Sequence, residues 1–172
     1  MTTPEGKVVA VTGASGYIGA LLLQRLEIEP GLRKIVAFDT RPLAAPNHNI
    51  VAYRRDLSEP IHEDLSDQGT NTLVHLAFNS HRGANRREVA AIREENLNTL
   101  RTVLESCLRS HVEHLVFLSS HTVYGAHPDN QLPITEDTPL RPSQDFPYGY
   151  NKYQSELLLE EFRQAQPGLS LI

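Results

Sequence analysis

With 172 residues and a formal net charge of −5, the chain suits a single domain around one core. It shows no basic block of the kind a nucleic-acid partner demands. Its lone cysteine, Cys107, excludes an internal disulfide framework and fits a reducing, cytoplasmic setting. Met1–Lys7 is short and polar, without a signal core, and no apolar run approaches the ~20 residues of a membrane span.

Strand and helix patterns alternate, which predicts an α/β fold built on a doubly wound parallel sheet. The first strand is Lys7–Thr12, followed by a helix over Gly16–Glu27 with Leu21, Leu22 and Leu26 facing inward; Pro30-Gly31 closes that unit. A second strand, Lys34–Phe38, leads through a loop with Pro42 and Pro46 to a third near Ile50–Tyr53. A short helix is expected near Ile61–Asp67. The fourth strand, Thr72–Leu76, precedes a long helix from about Asn85 to Ser110, and the fifth is His114–Leu118. A loop holding Pro128, Pro133, Pro139, Pro142 and Pro147 separates it from a last helix, Tyr148–Gln164. Pro167-Gly168 stops that helix, and Leu169–Ile172 opens a sixth strand. The expected order is 3-2-1-4-5 with a truncated sixth strand at the edge, and residues 1–172 form one domain.

The run Val8 to Thr12 ends at Gly13, Gly16 and Gly19, and a helical pattern follows at once. Strand, glycine-rich turn and helix in this order place a pyrophosphate on a helix N-terminus, where unpaired N–H groups and the helix dipole favour an anion. Gly13 lets the chain turn sharply, Gly16 lets backbone approach the phosphates, and Gly19 lets the helix lie close to the sheet. Asp39 ends the next apolar run twenty residues beyond Gly19, where a dinucleotide presents its ribose 2′-hydroxyl. Its charge repels a 2′-phosphate, and no Arg or Lys lies between Gly13 and Gly19, so the cofactor expected is NAD rather than NADP. Arg41, two positions past the acid, is within reach of such a phosphate, but its expected role is a solvated loop cation.

Tyr148 and Lys152 stand four apart at the start of the last helix and so share a face. A free phenol, with a pKa near 10, exchanges protons poorly at neutrality. An adjacent ammonium favours the phenolate and moves it toward the working range of a general acid–base. Ser120, directly after the fifth strand, places a hydroxyl that holds and polarises a carbonyl or alcohol oxygen.

The chain resembles the extended short-chain dehydrogenase/reductases, in particular the NAD-dependent epimerase/dehydratase group. The resemblance is carried by Thr12-Gly13-Ala14-Ser15-Gly16-Tyr17-Ile18-Gly19, Asp39, Asp56-Leu57, His75-Leu76-Ala77, Asn96, Ser119 to Gly125 and Tyr148-Gly149-Tyr150-Asn151-Lys152. It implies a catalytic trio of Ser120, Tyr148 and Lys152 supported by Asn96, with Tyr148 and Lys152 also against the cofactor. It implies cofactor contacts from Gly13, Ser15, Gly16, Tyr17, Ile18, Gly19 and Asp39, an adenine bracketed by Asp56 and Leu57, and Leu76 and Ala77 along the cofactor's path. The implied reaction removes hydride from a carbinol of a nucleotide-sugar-like substrate while Tyr148 takes the hydroxyl proton; the hydride returns in epimerases and dehydratases. Asn98 departs from the family's usual glycine, and Phe78 from a second small residue, which narrows the pocket. Family members continue into a smaller C-terminal, substrate-gripping region. None of it is present here, so the expectation is the cofactor-binding portion of such an enzyme. The resemblance also implies a homodimer through the two long helices.

The rival expectation is a nucleotide-binding sensor or interaction module without turnover, or an inactive fragment; Tyr148 and Ser120 argue against a pure sensor. No metal site is expected, because the eight histidines include no His-Glu-x-x-His pair and Cys107 completes no zinc set. His75 reads as a core histidine with a local hydrogen bond and Cys107 as a buried, inert thiol. His121 is a lesser candidate for substrate contact, and Tyr124 an anchor of the proline-rich loop.

Overall fold

The computed structural model describes residues 6–43 and 47–172; Met1–Glu5 and the expected loop position Pro46 lie outside them. The described residues fall into two compact units. One contains the chain as far as Phe78 with Thr99–Leu118 and Gln166–Ile172, the other Asn79–Asn98 and Ser119–Ala165.

The first unit holds the whole sheet. Its strands are β1 (Lys7–Thr12), β2 (Leu32–Asp39), β3 (Ile50–Arg54), β4 (Thr72–His75), β5 (His114–Phe117) and β6 (Ser170–Leu171). All pairings are parallel, in the order β3-β2-β1-β4-β5-β6. This is the doubly wound arrangement, with the two-residue β6 at the edge. Centrality is written into composition. Val8, Ala10 and Val11 of β1 and Ile35 to Phe38 of β2 are fully buried, as continuous apolar runs are when both faces of a parallel sheet are covered. Each buried valine contributes roughly 1.5–3 kcal/mol. The registers Thr12↔Phe38, Thr12↔His75 and His75↔Phe117 bring the carboxyl ends of four strands to one edge.

α1 (Tyr17–Leu26) packs on this sheet with a face that differs from the expected one. Leu23 is buried, and Leu22 and Leu26 pack half-buried against the cluster of Val9, Val11, Ile35 and Ala37, whereas Leu21 is exposed. Gly19 sets the rotation. A Cβ there would collide with the Gly13 carbonyl oxygen and stand 2.8 Å from Ala14. Gly19 therefore faces the turn that precedes the helix rather than the sheet itself. Residues three, four and seven positions on, namely Leu22, Leu23 and Leu26, then meet the core. α2 (His62–Gln68) buries Leu65 and ends at Gly69 in the left-handed conformation, the usual way for a glycine to close a helix.

α3 (Arg86–Arg109) contributes Leu100, Val103, Leu104 and Cys107 to the buried set of the first unit. The Ser106 hydroxyl accepts from the Ile61 N–H at 3.1 Å. Burial pushes the Cys107 thiol up to about 12, which fits an inert core thiol. The second unit contains the first turns of α3, a 3-10 turn at His121–Tyr124 that periodicity did not reveal, and α4 (Pro147–Ala165). Among the described residues no helix is long and apolar enough to cross a membrane.

Candidate functional site

In the sheet unit the glycine turn and the acid meet directly. Gly13 adopts φ +67°, and a Cβ on it would lie 2.7 Å from the Ala77 nitrogen. Only glycine permits both the turn and this approach to the end of β4. Gly16 caps α1 without a side-chain hydrogen bond, and the first helical turn carries no acidic residue. The leading N–H groups of α1, from Tyr17 and Ile18 onward, thus form an electropositive end with no acid in the helix's own first turn.

Asp39 closes the turn from the β2 side. Its Oδ2 accepts from the Ser15 N–H and its Oδ1 from the Arg41 N–H, each at 2.9 Å. The Asp39 side chain is 8% exposed, and Arg41 Nε stands 3.5 Å from Oδ1. Arg41 is therefore an ion-pair partner of Asp39, not simply a solvated cation.

Behind the turn lies a polar contact in the core. Thr12 and His75 are both buried, and Thr12 Oγ1 is 2.7 Å from His75 Nδ1. The same oxygen accepts from the N–H groups of Leu76 and Ala77 at 3.2 and 3.3 Å. One hydroxyl joins the His75 ring to the backbone that follows β4. The expected core histidine thus acts through Thr12, fixing the Leu76–Ala77 segment against Gly13. Asp56 serves its own turn, accepting from the Ser58 N–H at 2.9 Å, and Leu57 is buried beside it in sequence.

The second unit contains the side chains expected to be catalytic. Ser120 is the N-cap of the 3-10 turn: its Oγ accepts from the Thr122 N–H at 3.3 Å and bonds Thr122 Oγ1 at 2.9 Å. α4 starts at Pro147, a residue suited to the first helical position. Tyr148 and Lys152 follow one turn apart, with Phe146 edge-on to Tyr148 at 6.1 Å.

Gly149 stands between them in sequence and makes the packing possible. A Cβ there would lie 3.0 Å from the carbonyl and the hydroxyl oxygens of Thr122, so its absence lets the Ser120-capped turn press on α4. Lys152 is only 3% exposed. Burial lowers it to about 8, while the carboxylate of Glu156 acts in the opposite sense. Asn151, also buried, accepts from Arg93 Nε of α3 at 3.1 Å, and the Arg93 guanidinium lies 4.7 Å over the Tyr150 ring.

Asn96 is buried and clamps backbone. Its Oδ1 accepts from the Asn79 N–H at 2.7 Å and its Nδ2 donates to the Asn79 carbonyl at 3.0 Å. Thr12, Thr122, Gly149 and Asn79 had no assigned role in the sequence reading. His127 Nε2 lies 2.8 Å from the Arg141 carbonyl oxygen, which gives it a place in the loop's own structure. Among the described residues no cluster of His, Cys, Asp or Glu is arranged to hold a metal ion.

The model of the NAD dependent epimerase/dehydratase family matches residues 9–172. The UDP-glucose 4-epimerase of Lactobacillus helveticus is 29% identical over 155 residues, covering 88% of this chain and 46% of that protein. The UDP-glucose 4-epimerase of Corynebacterium glutamicum is 30% identical, covering 90% and 46%. Among solved structures, the Thermus thermophilus UDP-glucose 4-epimerase in complex with NAD is similar with a TM-score of 0.80 at 25% identity, covering 95% of this chain and 53% of that one. The chain thus spans about half the length of the curated relatives it matches.

Proposed function

The chain belongs to the NAD-dependent epimerase/dehydratase family, and on that footing we propose that it binds NAD and serves hydride chemistry at a carbinol of a nucleotide sugar. In this reading it supplies the cofactor-binding domain of the enzyme, acts in the cytoplasm and pairs as a homodimer through α3 and α4.

The turn at Gly13–Gly19 fits the cofactor. It is a cradle that a Cβ would fill, at the head of a helix with neither a side-chain cap nor an acid in its first turn, and Asp39 is held beside it by Ser15. The backbone N–H groups of this turn hold the pyrophosphate, and Asp39 accepts from the ribose hydroxyl. Asp56 and Leu57 bracket the adenine, while Leu76 and Ala77 line the cofactor's path. NAD, when bound, supplies a hydride acceptor.

The observation that carries the catalytic reading is the buried Lys152 one turn after Tyr148, on a helix whose Gly149 admits the turn capped by Ser120. An ammonium held at about 8 is charged at neutral pH and favours the Tyr148 phenolate. Tyr148 takes the carbinol proton as hydride departs and returns it in the reverse step, and the Ser120 hydroxyl steadies the substrate oxygen. Asn96 fixes the backbone of Asn79 in support.

The test is Tyr148→Phe. In the enzyme to which this domain belongs, the variant keeps NAD affinity within about twofold and loses turnover of UDP-glucose by about 10²–10⁴, the usual contribution of a positioned acid–base. Equal turnover in the variant refutes the assignment.

A further inference from the structure

Glu156 is a half-buried carboxylate on α4 to which neither the sequence reading nor the mechanism above gives a role. One contact and one helical spacing define its position. The hydroxyl of Ser119, the residue immediately before Ser120, donates a hydrogen bond to Glu156 Oε1. Glu156 also lies one helical turn beyond Lys152, as Lys152 lies one turn beyond Tyr148, so the three side chains follow one stripe of α4.

We propose that Glu156 is a positioning residue for the Ser120–Tyr148–Lys152 centre: its carboxylate ties the segment carrying Ser120 to the helix carrying Tyr148 and Lys152, and it stands as the counter-charge of the Lys152 ammonium. The functional meaning rests on the reading proposed above; the structural claim is tested without it.

Physical chemistry requires such a partner. An ammonium this buried loses its proton unless an opposite charge opposes the cost of desolvation. Glu156 is the carboxylate that raises Lys152 against that cost. Two further titratable groups belong to neighbouring elements of the same unit. Tyr124, from the 3-10 turn, has its phenol pushed up by burial and by the charges of Glu136 and Glu156. Arg93, from α3, is engaged with Asn151 and Tyr150. A hydroxyl bonded to an ionised carboxylate is among the stronger hydrogen bonds in proteins. The Ser119 contact therefore restrains the segment from which Ser120 projects its cap to Thr122.

The chain has three lysines, Lys7, Lys34 and Lys152, so selective ¹³C labelling at lysine Cε resolves each titration by NMR, with Lys152→Arg giving the assignment. Glu156→Gln keeps an acceptor for Ser119 and removes the charge. It lowers the Lys152 midpoint by about one pH unit and leaves amide exchange at Thr122 unchanged. Ser119→Ala keeps the charge and removes the tie: the Lys152 midpoint stays, and Thr122 amide exchange accelerates about three- to tenfold. Glu156→Ala shows both effects.

Unchanged Lys7 and Lys34 signals verify that each variant is folded. A Lys152 midpoint that does not move in Glu156→Gln overturns the counter-charge role, and unaltered Thr122 exchange in Ser119→Ala overturns the tie. Both readouts come from the chain without cofactor, so a failure of NAD binding leaves them decidable.

Discussion

Lys152→Met tests the cost of the buried ammonium. Lys152 is 3% exposed, and its pKa falls from 10.5 to about 8 on folding. A one-unit change is worth about 1.4 kcal/mol, so the buried charge costs the fold about 3 kcal/mol at pH 7. The direction with pH follows from proton counts. Between pH 8 and 10.5 the unfolded chain keeps the Lys152 proton that the folded chain releases, so stability gains with rising pH. Below pH 8 both states are protonated and the full penalty stands.

Methionine matches the stem and carries no charge. Urea unfolding of both proteins at about pH 7.0 and 9.5 therefore yields a variant about 3 kcal/mol more stable at the lower pH. The difference shrinks to about 1 kcal/mol at the higher pH, because only the portion above about 9.5 remains. Subtracting the variant removes every other titrating group. A difference that stays flat or widens across this range refutes the reasoning. Such a stabilising loss of charge also marks the residue as one kept for function at the expense of the fold.

Two substitutions test the turn that precedes α1. In Gly19→Ala the new methyl collides with the backbone of Gly13 and Ala14; thermal unfolding falls by the equivalent of about 1–3 kcal/mol and NAD affinity falls with it. An unchanged melting temperature removes the close approach. In Thr12→Val the shape is kept, but the Ala77 N–H and His75 Nδ1 lose the hydroxyl. Denaturant unfolding shows a loss of about 1–3 kcal/mol, and a neutral outcome contradicts the role given to Thr12.

The sheet was readable because burial on both faces leaves a compositional trace: Val8 to Val11 and Ile35 to Phe38 are continuous apolar runs, and Asp39 stands at the end of the second. The face of α1 was not. Three consecutive leucines, Leu21 to Leu23, allow several rotations, and the choice is made by Gly19 against Gly13, a backbone contact that no side-chain pattern announces. The 3-10 turn at His121–Tyr124 is one turn long and held by the Ser120 cap, too short for periodicity to register. Arg41 looked like a free cation because its partner is the same acid that the cofactor argument had already claimed. That Tyr148 and Lys152 lie one turn apart on a helix was legible from their spacing, whereas the tie from Glu156 to Ser119 joins residues far apart in the chain and leaves no local signal.

The most direct measurement of the central claim is calorimetric titration of the chain with NAD and with NADP, repeated on Asp39→Ala. The account predicts that NAD binds at least about tenfold more tightly than NADP. It also predicts that Asp39→Ala narrows this preference, since the carboxylate both accepts from the 2′-hydroxyl and repels a 2′-phosphate. Tighter binding of NADP, or no binding of either, contradicts it.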